Sequence, residues 1–274
     1  MLTLCSPAKV NLFLRVLSRR EDGYHDLASL MQTIDLHDTI HFHLASEDSL
    51  VCTDAKLPTD HSNLIIKALD LFRHKTGINQ PVAIYLEKKI PMEAGLGGGS
   101  SNAATTLWAM NELCGRPVME AQLAQWGGEI GSDVAFFLSE GTAYCTGRGE
   151  ILRTLPRLDP SYLWIIKPPQ GLSTGKVYGK FNPLSVAQND PEQVLQSFLS
   201  ACPTYFNDLE APAFEVMPEL AKLKALLFES GFSTVLMSGS GSSFFCMGDG
   251  VIPHLPGYVS CSAQFINRKS HTWY

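Results

Sequence analysis

The chain has no C-x-x-C pair. Its seven cysteines (Cys5, Cys52, Cys114, Cys145, Cys202, Cys246, Cys261) are scattered singly and are odd in number. This argues against a disulfide framework and a thiolate zinc site, and predicts reduced thiols in a cytoplasm. A run of about 18 apolar residues is also missing, which removes a membrane-spanning helix from the expectations. The opening residues MLTLCSPAKVNLFLRVL have no basic stretch ahead of an apolar one, and Pro7, Lys9 and Asn11 interrupt them, so no signal or transit peptide is read there. Positive charge is in deficit: 21 Lys and Arg stand against 27 Asp and Glu, a net charge of −6. Such a surface lacks the field that holds nucleic acid or an anionic membrane, although a few local donors suffice for an anionic small molecule. Internal repeats and low-complexity tracts are absent. The expectation is a soluble cytoplasmic protein, monomer or homodimer, with small-molecule partners.

What is present is an ordinary globular composition, 274 residues of which 45% are hydrophobic, enough for one large or two modest cores. Strand-like segments are read at Val10–Val16, Thr39–Leu44 and Val82–Ile90, with a turn at Asp22-Gly23. Helical spacing marks Asn63–His74, Asn102–Leu113, Glu120–Ile130, Pro191–Leu199 and Pro218–Ser230. Ser100 or Ser101 is expected to cap the second of these, and Gly115 to let the chain leave it. Pro156, Pro160, Pro168 and Pro169 flank a short strand, Leu163–Lys167, and mark a boundary between residues 1–155 and 156–274. Strands at Thr234–Met237 and Phe244–Met247 enclose a tight loop. The fold class is α+β.

The most informative segment is Pro91-Met92-Glu93-Ala94-Gly95-Leu96-Gly97-Gly98-Gly99-Ser100-Ser101, between a strand and a helix. Clustered glycines let successive N–H groups converge on one point, and the free N–H groups of the helix start favour an anion there. No Lys-Ser or Lys-Thr follows, so this is not a Walker A loop, and the third glycine of the dinucleotide fingerprint is missing. Alone, the loop fits either a phosphate cradle or a tight turn.

Three other segments bear on it. Ser238-Gly239-Ser240-Gly241-Ser242 is a second small-residue loop, able to approach a ligand or the first loop. Lys9 and Asn11 share one face of an extended, otherwise apolar strand, and a buried lysine asks for a carboxylate. Asp133, leading into Val134-Ala135-Phe136-Phe137, is either that carboxylate or a helix N-cap.

Together these segments resemble the GHMP kinases. The resemblance is carried by Pro7-Ala8-Lys9-Val10-Asn11-Leu12 through Arg20–His25, by Pro91–Ala104 and by Ser238–Gly241. Gly131–Phe137, Gly147-Arg148-Gly149-Glu150 and Asn207-Asp208-Leu209-Glu210 add to it, in order from residue 3 to about 246. Within the superfamily it points to the branch whose acceptor is a cytidine-diphosphate-linked polyol of the non-mevalonate isoprenoid route. It implies a two-domain GHMP kinase fold with ATP, accompanied by Mg²⁺, and the acceptor meeting in the cleft between domains. It also implies Asp133 as base, Lys9 as its partner and Pro91–Ser101 as the ATP loop. Asn11, Tyr24, His25, Thr174 and Tyr178 would lie on the substrate, with Ser238, Gly239, Ser240 and Gly241 as the third loop. Glu93 departs from the pattern, standing where glycine is usual, and the C-terminus after Met247 matches poorly.

Competing readings are a different alcohol acceptor and a non-catalytic binding protein on the same fold. Gly171-Leu172-Ser173-Thr174-Gly175 matches the G-x-S-x-G nucleophile elbow, but Pro168-Pro169 interrupts the strand that this elbow needs. His37, His41 and His43 offer zinc no third ligand at suitable spacing and are read as surface histidines.

Overall fold

A computed structural model describes residues 1–183, 186 and 189–274. It is organised around one long antiparallel hairpin, β1 (Leu2–Arg19) and β2 (His25–Leu44). The turn between them closes through Arg20 N–H donating to Tyr24 O (2.8 Å), with Gly23 at φ +85°. Ser6 to Val16 are buried without interruption, because β1 is central and covered on both faces. Alternation therefore disappears from its sequence, and the segment reads as an apolar run with a few polar residues embedded. Register shifts at Pro7/Ala8, Asn11/Phe13 and Val16/Ser18 twist the pair.

Along its edge away from β1, β2 takes two partners end to end. Leu27–Gln32 pair with β5 (Thr142–Gly147), which pairs in turn with β6 (Ile151–Thr154). Thr39–Leu44 pair with β4 (Val82–Glu87), which carries β3 (Ser49–Cys52). The two-residue β8 (Phe206–Asn207) adds in parallel beside β1. A second sheet of four antiparallel strands runs in the order β11 (Val259–Gln264), β7 (Tyr162–Lys167), β10 (Phe244–Met247), β9 (Thr234–Met237).

Helices α1 (Leu64–Thr76), α2 (Gly98–Leu113), α3 (Glu120–Ile130) and α4 (Val134–Phe137) cover one face of the first sheet. There Phe42, Ile84, Leu107, Trp126 and Phe136 form the first core. The opposite face meets the second sheet and α6 (Pro191–Leu199) through Phe13, Leu30, Ile165, Leu195 and Phe245. Beyond the second sheet lie α5 (Thr174–Lys180), α7 (Glu210–Val216) and α8 (Glu219–Glu229), whose Val177, Ala213 and Leu223 pack with Ile166 and Phe244 of the sheet. No helix among the described residues is long and apolar enough to cross a membrane.

Two sequence expectations shift around the glycine-rich loop. β4 ends at Glu87 and not at Ile90, because the N–H groups of Lys89 and Ile90 leave the ladder to donate to Asp38 Oδ1 (2.7 and 2.8 Å). The helix starts at Gly98, four residues ahead of Asn102. Neither serine caps it: Gly97 holds the N-cap position at φ +72° with no side-chain bond. Packing overrides the low helix propensity of Gly98 and Gly99.

Asp38, fully buried, ties these pieces together. Its other oxygen accepts from Lys88 Nζ (2.7 Å) and Asn102 Nδ2 (2.9 Å), so one carboxylate fixes the chain before the loop and the helix after it. Losing one partner of a buried ion pair leaves the other charge uncompensated, at a cost of about 3–5 kcal/mol. Asp38→Ala is expected to lower stability by that order, about 3–5 kcal/mol, seen as a reduced urea midpoint; an unchanged midpoint would contradict the anchoring role.

Candidate active site

The loop Pro91–Gly97 is bent by Gly95 (φ +73°) and Gly97 (φ +72°), conformations that side chains resist. Space forbids a side chain at both positions as well. A Cβ on Gly95 would lie 1.9 Å from Ser238 O, and one on Gly97 would lie 2.8 Å from the Phe137 ring and 3.1 Å from Lys9 Cγ. The first helical bond of α2 is donated by Ser101 N–H to Gly97 O (2.8 Å), which leaves the preceding N–H groups of the first turn without helical acceptors. This turn opens on a cleft of about 920 Å³. The loop from Pro91 to Ser100 lines it, as do Lys9, Asn11, Asp133 and Gly239–Gly241.

Lys9 is 3% exposed on the cleft floor. Its backbone N–H donates to Leu96 O (3.0 Å), and its ammonium donates to Asn11 Oδ1 (2.6 Å) and stands 3.4 Å from Asp133 Oδ2. Asn11 is fixed from behind, donating to Ser29 Oγ (2.8 Å), whose hydroxyl donates to Phe13 O (2.6 Å). Asp133 precedes α4 at φ −86°, ψ −5°, and its carboxylate makes no capping bond. Between the two sequence readings of Asp133, the geometry takes the side of the lysine partner. With 28% of its side chain exposed, that carboxylate faces the cleft.

The third loop is fastened to the first. Ser242 N–H and Ser243 N–H donate to Glu93 O (3.3 Å) and Ala94 O (3.1 Å), and Ser238 Oγ donates to Gly95 O (2.9 Å). Asn207 holds it from the other side, donating to Met237 O and Gly239 O, both at 2.7 Å. Ser240 Oγ and Thr174 Oγ1 lie 2.9 Å apart, so the third loop meets α5 at the cleft edge.

At the far end, His25 stacks on Tyr178 with centroids 4.9 Å apart, and Phe181 meets it edge-on. Tyr24 is exposed beneath the Arg148 guanidinium, 5.1 Å from its ring centre. Burial, then the Asp133 charge, pushes the Tyr178 phenol well above its ordinary range. Burial is also the main cause that lowers the His25 imidazole from 6.5, with the Arg19 charge adding to it.

Two expected site residues stand behind the cleft. The Ser101 hydroxyl is fully buried and accepts from Ser6 Oγ (2.8 Å), and Ser238 is consumed in holding Gly95. Glu93 has φ +50°, the left-handed region that explains why glycine suits the position. Its carboxylate is turned against Gly171, where a Cβ would lie 2.2 Å from Oε2, and its charge acts on Lys167. Sequence reasoning missed the wall formed by Leu57, Pro58, Asn63, Leu64 and Lys88, which carries no motif, and Arg148, whose segment adds to the resemblance without giving that residue a role. Residues 168–172 separate β7 from α5, so no strand runs into Ser173 as a nucleophile elbow needs. His41 is occupied by Thr3 Oγ1 (2.9 Å) and Glu87 Oε1 (3.0 Å), and no metal-holding group of His, Cys, Asp and Glu occurs among the described residues.

Residues 63–141 match "GHMP kinases N terminal domain" and residues 185–250 match "GHMP kinases C terminal". The 4-diphosphocytidyl-2-C-methyl-D-erythritol kinase of Protochlamydia amoebophila (strain UWE25) is 55% identical over 271 residues, covering 99% of this chain and 92% of that protein. The chain belongs to the GHMP kinases, in the 4-diphosphocytidyl-2-C-methyl-D-erythritol kinase family. The chloroplastic/chromoplastic family member of Solanum lycopersicum is 46% identical over 294 residues, covering all of this chain and 73% of that one. A crystal structure of 4-(cytidine 5'-diphospho)-2C-methyl-D-erythritol kinase superposes with a TM-score of 0.81 at 33% identity, over 97% of this chain and 99% of that chain. A homoserine kinase from Cytophaga hutchinsonii, at TM-score 0.71 and 18% identity, shares the fold. The α+β, two-domain GHMP expectation is met.

A lowered His25 has a consequence for stability. Between the folded pKa and 6.5 the unfolded chain binds more protons, so stability falls as pH drops through that window and recovers above it. An NMR titration of the His25 ring is expected to give a midpoint below 6.5; a midpoint above that value would overturn the burial argument.

Proposed function

We propose that this chain transfers the γ-phosphoryl group of ATP to the 2-hydroxyl of 4-diphosphocytidyl-2-C-methyl-D-erythritol, in the non-mevalonate route to isoprenoid precursors. The observation that carries the mechanism is the Lys9–Asp133 pair at 3.4 Å, facing the cleft beside the first turn of α2. The acceptor oxygen forms a bond to the γ-phosphorus, the bond from that phosphorus to the β–γ bridging oxygen breaks, and ADP leaves. Asp133 takes the hydroxyl proton as the new bond forms. Lys9 carries positive charge beside both carboxylate and developing phosphate charge, and the loop N–H groups between Gly95 and Ser100 hold the transferred group in line.

Mg²⁺, bound together with the nucleotide, would neutralise phosphate charge. The Ser100 hydroxyl on the cleft wall is an oxygen donor of the kind it accepts. We assign ATP to Pro91–Ser100 and residues 1–155, with residues 156–274 completing the cleft. Asn11 and Thr174 would orient the acceptor, and Tyr24, His25 and Tyr178 would hold the cytosine, whose flat ring suits aromatic stacking. A His25 held neutral offers one donor and one acceptor to the base edge. The protein would work as a monomer or homodimer.

Asp133→Asn and Lys9→Ala are each expected to reduce kcat by about a hundredfold or more, with ATP affinity within a few-fold of wild type. Steady-state kinetics and nucleotide titration check this, and near-wild-type kcat in Asp133→Asn would remove it as the base. Coupled ADP detection on a panel of 4-diphosphocytidyl-2-C-methyl-D-erythritol, mevalonate, homoserine and galactose tests the acceptor. Turnover is expected on the first alone, and turnover only on another member would overturn the assignment.

A further inference from the structure

Residues 265–274 leave the second sheet and return across the first. Phe265 forms a bridge with Ile34, and Ile266 N–H donates to Thr33 O (3.0 Å). Asn267 Nδ2 donates to Glu140 O and to Thr142 Oγ1, both at 2.9 Å. Farther on, Trp273 Nε1 donates to Cys5 O (2.6 Å). In the middle of this strap Arg268 is 4% exposed, its guanidinium 5.0 Å from the Trp108 ring centre and 5.7 Å from that of Trp273.

A guanidinium has five N–H donors in a rigid fork, and here the partners account for all of them. Nε donates to Ser139 O (2.7 Å), Nη2 to Leu138 O and to Glu120 Oε2 (3.2 Å), and Nη1 to Thr272 O (2.8 Å) and to the same Glu120 oxygen (3.2 Å). Leu138 is the C-cap of α4, the four-residue helix that begins directly after Asp133, and Ser139 follows it, with Leu138 N–H donating to Ala135 O (3.1 Å) and Ser139 N–H to Phe136 O (2.9 Å). One turn of helix cannot hold itself, because fixing it costs more backbone entropy than its few bonds return. Its orientation must come from its neighbours. Val134, Phe136 and Phe137 are buried in the first core, Phe137 also packs against Gly97 of the phosphate loop, and at the rear the Arg268 donors hold the carbonyls that follow the helix.

We infer that Arg268 is a positioning residue for turnover. By gripping the carbonyls of Leu138 and Ser139 it sets α4 as a unit, and so sets where the Asp133 carboxylate stands relative to Lys9 and the acceptor hydroxyl. The inference rests on Asp133 being the base. It gives the C-terminal strap a role in the reaction, although no atom of it lines the cleft.

The test uses the full chain carrying Arg268→Met, Arg268→Lys, Glu120→Gln or Asp133→Asn, assayed well below each variant's unfolding midpoint. Arg268→Met keeps the aliphatic stem but none of the donors, and is expected to lower kcat about tenfold or more with both KM values within about twofold. Arg268→Lys, which keeps charge without the fork, is expected to fall between it and wild type. Glu120→Gln removes the ion pair on the outer side of the same guanidinium, and should lower Tm while leaving kcat unchanged. A kcat within about twofold of wild type in folded Arg268→Met would overturn the inference. So would an equal loss of kcat in Glu120→Gln, since both variants would then report stability alone. If Arg268→Met does not fold, Arg268→Lys decides: an unchanged kcat overturns the inference, and a reduced kcat at unchanged KM supports it. Asp133→Asn separates the two claims. Its inactivity beside active Arg268 variants would leave the base assignment standing and remove the positioning role, whereas its activity would remove the base assignment itself.

Discussion

An ammonium group sits in the interior of the first sheet, and much of the site follows from the need to compensate it. Lys9 lies on a central strand, 3% exposed, where an unpaired charge would be strongly disfavoured. Asn11, two residues along the same face, supplies one acceptor and Asp133 supplies the counter-charge. The compensation is incomplete on the cleft side, where the Asp133 carboxylate stays partly open to solvent. Structural necessity and chemical use thus coincide in one ion pair. Removing either member would leave a charge without its partner and, in the proposed reaction, take away the base or its electrostatic support.

Around this pair, the glycine-rich loop is held through its backbone carbonyls by groups that lie outside it. The glycine-rich loop has its entrance and exit fixed by Asp38, and its middle fixed by the third loop through Glu93 O, Ala94 O and Gly95 O. The third loop is in turn fixed by Asn207, from the strand that joins β1. A loop built this way keeps its N–H groups free for an anion while its carbonyls are committed elsewhere. That division of donors from acceptors is what a phosphate cradle requires.

Much of this was legible in the sequence. Glu120–Ile130 and Pro191–Leu199 are helices with the expected bounds, and Thr234–Met237 and Phe244–Met247 are paired strands. The demand of Lys9 for a carboxylate led to Asp133. The start of α2 was not legible, because helix propensity alone argues against Gly98 and Gly99, and only the fold shows that a Cβ on Gly98 would crowd Ile90 and Lys88. The length of β1 and β2 was hidden by bulges and by buried polar residues such as Ser6, Asn11 and Arg15. Arg268 was invisible for a related reason. A strap of the composition Asn-Arg-Lys-Ser-His looks solvated, and only the fold brings carbonyls and two indoles around one of its charges.

The contact between Cys5 and Trp273 joins positions 268 residues apart, and β8 reaches β1 from the far half of the chain, Phe206 lying opposite Phe13. During synthesis the hairpin of β1 and β2 emerges before the strands and the strap that cover its apolar faces. The first domain therefore cannot complete its packing until those later segments have emerged. For most of the chain's time on the ribosome, the segment bearing Lys9 waits with its buried face open, exposed to whatever else in the cell binds unpaired strands. A domain whose last brace is translated so late has its interval of greatest vulnerability set by elongation time as much as by its own folding rate.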